Sequence, residues 1–93
     1  MITSVCFSKR AEKDLLKIPP FILKKLRLWV FEVERVGLRE TQKTPGHHDE
    51  PLKGDRHGQR SVRLNRAYRA IYTIKDNGTI EFVLIEEVNK HEY

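Results

Sequence analysis

Apolar residues in the first third of the chain recur at helical spacing. Ala11, Leu15 and Ile18 fall at i, i+4 and i+7, which predicts a helix over residues 9–18 with one buried face. Ser8 stands where an N-cap belongs. Pro19-Pro20 breaks that helix and seats Pro20 in the first turn of the next. The second helix is predicted over 20–36, where Ile22, Leu26, Trp29, Val30, Val33 and Val36 repeat every three or four positions, with one adjacent pair. Such a stripe is broad enough to cover a sheet face, and Trp29 is its expected core anchor. Lys24, Lys25, Arg27, Glu32, Glu34 and Arg35 lie largely off it. Gly37 is the expected stop.

The pattern then changes. Residues 2–7 form a short β-branched and aromatic run, a predicted first strand. Residues 38–58 show no sustained period. A structureless loop of that length is unusual in a small domain, so either the helix continues over 38–43 or the loop is functional. Residues 59–64, 68–75 and 79–88 read as three strands, with Asp76-Asn77-Gly78 a tight-turn signal between the last two. The last strand is apolar on both faces in its middle, as suits a central strand or one that faces a partner. The order is β-α-α-loop-β-β-β. It predicts an α+β domain over residues 1–93, two N-terminal helices packed on an antiparallel sheet of about four strands.

Composition narrows the function classes. Ninety-three residues suffice for one modest core. A formal net charge of +5 points to an anionic partner, although charge of either sign also serves solubility. The single Cys6 forms no internal disulfide, which fits a reducing cytoplasm. The apolar run at the N-terminus is too short for a signal peptide, and no stretch approaches a membrane span. No Walker loop, dinucleotide fingerprint or Ser-His-Asp order is present, and His47, His48 and His57 lack a metal-ligand spacing. No metal or cofactor is expected.

The candidate chemistry concentrates in residues 50–72, EPLKGDRHGQRSVRLNRAYRAIY. Arg60, Arg63, Arg66 and Arg69 stand at intervals of three, and with Lys53 and Arg56 they oppose only Glu50 and Asp55. Every third residue can share a helix face, but the upstream Pro and Gly and the residues around Arg69 favour a hairpin. An arginine on a strand is a planar fork of donors matched to phosphate. Metal-free RNA cleavage needs a base for the ribose 2′-hydroxyl, cations for the charge growing on phosphate, and an acid for the departing 5′-oxygen. Glu50, stiffened by Pro51, is the candidate base, and Arg63 with Arg69 the clamp. Lys53, Arg56, Arg60 and Arg66 are further phosphate contacts, Arg66 being the one most open to a purely surface role. His91 is the candidate acid, and Tyr93 a stacking or donor group. Plainer readings stand beside these: a surface pairing for Glu50, a solvated strand face for the arginines, a frayed terminus for His91 and Tyr93. Arg63 and Arg69 share a sheet face only if the hairpin pairs them or shifts by two. Direct pairing leaves residues 64–68 as the connection and turns Val62, Leu64, Ala70 and Tyr72 toward the helices.

The order EPLKG, then GQRSVRLNRAYRAIY, then a terminal His-x-Tyr resembles the RelE/ParE superfamily of bacterial type II toxins, most of all its YoeB-like and HigB-like mRNA interferase branches. The resemblance implies a microbial-ribonuclease-like fold and cleavage of mRNA in the A site of the 70S ribosome. It also implies a neutralising antitoxin as partner. By resemblance Glu50 is the general base, Arg63 belongs to the Ser-x-Arg strand and Arg69 to the Arg-x-x-Tyr strand. His91 and Tyr93 correspond to a terminal His-Tyr that is adjacent in YoeB-like chains, whereas Glu92 intervenes here. HigB-like relatives carry His at the place of Glu50. The competing expectations are a ParE-type gyrase inhibitor without nuclease chemistry and a non-catalytic basic module that binds nucleic acid.

Overall fold

The computed structural model describes residues 1–90. Its elements are β1 (Val5–Phe7), α1 (Lys9–Leu15), α2 (Pro20–Val36), α3 (Leu38–Gln42), β2 (Glu50–Pro51), β3 (Arg60–Arg63), β4 (Tyr68–Asp76) and β5 (Glu81–Lys90), with 3-10 turns at Pro45–His47 and Gly54–Arg56. They make the expected α+β fold, helices on one face of a sheet.

Local chemistry explains the boundaries. Ser8 caps α1, its hydroxyl accepting from Ala11 N at 3.0 Å. α1 ends at Leu15, short of the predicted Ile18, because Pro19 has no N–H to offer the Leu15 carbonyl and pushes Ile18 out of the α region. Its last turn tightens into bonds from Leu16 N to Lys13 O and from Lys17 N to Asp14 O. α2 matches its predicted span. Gly37 ends it with φ at 89°, a left-handed conformation that glycine adopts at little cost. The chain then restarts as α3, tied back by Leu38 N to Ile2 O at 2.8 Å, so much of the supposed loop is ordered.

The sheet has five strands in the order β1-β5-β4-β3-β2, one more than expected, and β1 runs parallel to β5 while the other pairs are antiparallel. The extra strand, β2, is two residues long and pairs Glu50 with Ser61 and Pro51 with Arg60. An edge is where a sheet tolerates proline. The β4–β5 hairpin closes on Asp76-Asn77-Gly78, with Asn77 Oδ1 accepting from Thr79 N and Ile80 N.

Ile22, Leu26, Trp29 and Val33 of α2 are buried against Val62, Ala70, Tyr72, Val83 and Ile85 of the sheet. The Trp29 and Tyr72 rings meet at 5.2 Å between centroids, tilted by 45°. The β4–β5 register slips between Ile71 and Tyr72, which pair with Glu87 and Ile85, so Glu86 has no partner. Its carbonyl, freed from the ladder, accepts instead from the Ser8 hydroxyl at 2.8 Å. Among the described residues no helix is long and apolar enough to cross a membrane.

Candidate functional site

β3 and β4 pair Val62 with Ala70 and Arg63 with Arg69. Val62, Leu64, Ala70 and Tyr72 are buried in the core, so Arg63 and Arg69 emerge together on the face away from the helices. Directly opposed residues hold their Cα atoms about 5 Å apart. Two guanidinium groups so placed repel each other, and like charges across a strand pair are destabilising. Neither has an acidic partner among the described residues. Arg69 Nε is buried with no hydrogen-bond partner among them.

Glu50 reaches the same face through its pairing with Ser61, two residues from Arg63. A hollow of about 90 Å³ opens among Glu50, Ser61, Arg63 and Arg69. The β3–β4 turn, with Asn65, Arg66 and Tyr68, walls one side, and His48 stands on another. Asn65 rigidifies that turn, its Oδ1 accepting from Ala67 N and Tyr68 N at 2.8 and 2.7 Å. The arrangement offers paired cationic forks and one exposed carboxylate around a space for an oxyanion.

Three other predicted phosphate contacts lie elsewhere. Arg60 pairs with Tyr72 on β4 and so faces the helix side, where its Nε donates to Asp49 Oδ1 at 2.7 Å. Arg56 Nη2 donates to Glu87 Oε2 at 2.5 Å and its Nε to Gln59. Lys53 is exposed beyond β2 and does not line the hollow. Only Arg66 of that group reaches it. His91 and Tyr93 lie outside the described residues.

Behind Glu50 sits a polar anchor that the sequence did not announce. The Asp49 side chain is fully buried and accepts from Arg60 Nε and from the Tyr72 hydroxyl at 2.5 Å. Tyr72 OH accepts in turn from Gln42 Nε2 at 3.0 Å. Burial, then the Asp49 carboxylate, push the Tyr72 phenol well above its ordinary range. Burial opposes the charge on Arg60, but its bond to Asp49, the Asp49 charge and the nearby Tyr72 together outweigh this and raise its pKa. Glu87, also buried, accepts from Arg56 and from Asn89 Nδ2, with Arg10 Nη1 at 3.6 Å. Among the described residues no three His, Cys, Asp or Glu side chains gather to hold a metal.

Tyr72→Phe removes one donor from buried Asp49, and the expected cost is about 1–2 kcal/mol at neutral pH. The sign with pH is set by the raised phenol. Its contribution is complete below the unfolded value near ~10 and drains away as pH climbs toward the folded one. The gap in urea-unfolding stability between wild type and variant should therefore shrink by about 1 kcal/mol from about pH 8 to about pH 11. A gap that stays constant would contradict the Asp49–Tyr72 bond.

The sequence matches the family model described as the ParE toxin of type II toxin–antitoxin systems, parDE, over residues 5–87. No curated protein matches it. Among solved structures, the toxin–antitoxin complex RelBE2 from Mycobacterium tuberculosis aligns at 30% identity and a TM-score of 0.70, covering 98% of this chain and 100% of that one. The heterotetrameric YoeB–YefM toxin–antitoxin complex from Staphylococcus aureus aligns at 25% identity and 0.68, covering 97% of each chain. YafQ from E. coli aligns at 16% identity and 0.73, covering 95% and 92%, a likeness of fold.

Proposed function

The chain belongs to the family of ParE toxins of type II toxin–antitoxin systems, within the RelE/ParE superfamily, and from that footing we propose that it is an endoribonuclease that cuts mRNA on the ribosome. The observation that supports this reading is the direct pairing of Arg63 with Arg69 on the open face, with Glu50 beside the same hollow. Glu50 takes the proton of the ribose 2′-hydroxyl, and the two arginines hold the scissile phosphate and the charge that grows on it. Arg66 adds a cation at the rim. The reaction yields a cyclic phosphate and a 5′-hydroxyl without a metal, in the cytoplasm, where its substrate is.

An antitoxin is the proposed protein partner, as RelBE2 of M. tuberculosis is a toxin–antitoxin complex. Acidic groups of such a partner over the arginines would close the site, since opposite potentials meet at specific interfaces.

The matched family is that of ParE toxins, and the ParE-type expectation from the sequence, a gyrase inhibitor that binds protein and performs no cleavage, is the second reading. Purified toxin added to translating ribosomes, with the 5′ ends of the mRNA mapped, separates the two. New 5′-hydroxyl ends within the occupied codon are expected. Intact mRNA, together with stalled gyrase–DNA complexes in a parallel assay, would reject the nuclease.

A further inference from the structure

The loop ahead of β2 carries three titratable residues in a row and treats them differently. His47 Nε2 lies 2.9 Å from Glu32 Oε2 on α2, with Thr44 Oγ1 donating to the same carboxylate at 3.2 Å. Asp49 is locked to Arg60 and Tyr72. Between these two anchors, His48 takes a left-handed backbone with φ at 45°, and it is the one non-glycine residue to do so among those described. That conformation costs an L-residue roughly 1–2 kcal/mol, a strain of the kind that gathers at functional sites. Its effect is to leave His48 exposed at the hollow while both neighbours are tied down. His48 Nε2 stands 3.5 Å from Arg63 Nη1, so a phosphate oxygen held by that guanidinium lies within reach of the imidazole.

In-line displacement puts the attacking and departing oxygens on opposite sides of phosphorus, so a base and an acid must flank it. His48 and Glu50 are two residues apart, their Cα atoms separated by at most ~7 Å, and both border the hollow that holds Arg63. Imidazole is the side chain suited to give and take a proton near neutrality. We propose that His48 is the proton donor to the departing 5′-oxygen, an inference that rests on the nuclease reading above. As Glu50 removes the 2′-hydroxyl proton, the 2′-oxygen bonds to phosphorus and the bond to the 5′-oxygen breaks. That oxygen keeps the electron pair and takes the proton of the His48 imidazolium. The step leaves a 2′,3′-cyclic phosphate, a 5′-hydroxyl, a protonated Glu50 and a neutral His48.

The test compares ordinary mRNA with one carrying a single 5′-bridging phosphorothiolate at the mapped cut, on programmed ribosomes. A thiolate leaves without a proton, so only a defect in the general acid is repaired by sulfur. His48→Asn is the variant of choice, because asparagine tolerates the left-handed backbone; its urea midpoint is expected to match wild type. On ordinary mRNA it should be slowed about 100-fold, and on the sulfur substrate restored to within about tenfold of wild type. Glu50→Gln should remain slow on both. A His48→Asn protein that cleaves ordinary mRNA normally, or that is equally slow on both, overturns the assignment. Wild type that cuts neither substrate overturns the nuclease reading and His48 with it, whereas wild type cutting both with His48→Asn unimpaired leaves that reading intact.

Discussion

Glu50→Gln is expected to slow mRNA cleavage about 1,000-fold and to abolish toxicity in cells. The amide keeps the shape of the side chain and its place on β2, opposite Ser61, but takes no proton from a 2′-hydroxyl. General base catalysis is worth about 10²–10⁴ in rate, and the middle of that range is already about 4 kcal/mol of barrier. Glu50 is exposed and makes no ion pair among the described residues. Folding therefore hardly depends on it, and thermal unfolding should move by under about 0.5 kcal/mol. Single-turnover cleavage on ribosomes reads the rate. A loss under tenfold would remove Glu50 from the chemistry and favour a protein-binding toxin.

Arg69→Ala should cost about 100- to 1,000-fold in the same assay, the scale of losing one preorganised donor to a developing oxyanion. Arg69 lies on β4, between β3 and β5, and pairs with Arg63 on one side and Asn89 on the other. It is half-buried where Arg63 is exposed, so its fork is the better fixed of the two. Arg69→Lys should recover little, since a point charge does not reproduce a planar pair of donors. Stability should move the other way. The paired arginines repel, so removing one is expected to keep or raise the urea midpoint at low salt. Cleavage unchanged within tenfold would refute the clamp, and collapse of the fold would show that Arg69 is a structural residue.

Much of the scaffold was legible because its signals are periodic. The apolar stripe of α2 placed Ile22, Leu26, Trp29 and Val33 in the core, and Asp76-Asn77-Gly78 marked its hairpin. The parts that were hidden are aperiodic. A strand of two residues, Glu50–Pro51, has no period to detect. Gly37 ends α2 as its place after the stripe predicts, and its positive φ lets α3 follow at once, a restart too short to carry a period.

The arginines illustrate the limit more sharply. Side chains on a strand alternate by two, so arginines three apart change face at each step. Arg60 therefore turns inward to Asp49 while Arg63 turns outward. Their even spacing nonetheless suggests one set. Arg56 reads as a substrate contact in the sequence because its partner, Glu87, lies 31 residues away and nothing local announces it. His48, which borders the hollow, has a local clue in its place two residues before Glu50, but neighbouring histidines read first as metal ligands.

The extra residue in the last strand has a bearing on charge. Counted strictly by twos from Val83 and Ile85, position 87 would point into the core and position 88 away from it. The slip at Glu86 inverts that phase, so Val88 joins the interior and Glu87 turns to the opposite face, buried beneath Arg56 and Arg10. A half-step in one strand thus keeps a carboxylate out of the oil and sets it as counterweight beneath a surface otherwise crowded with positive charge.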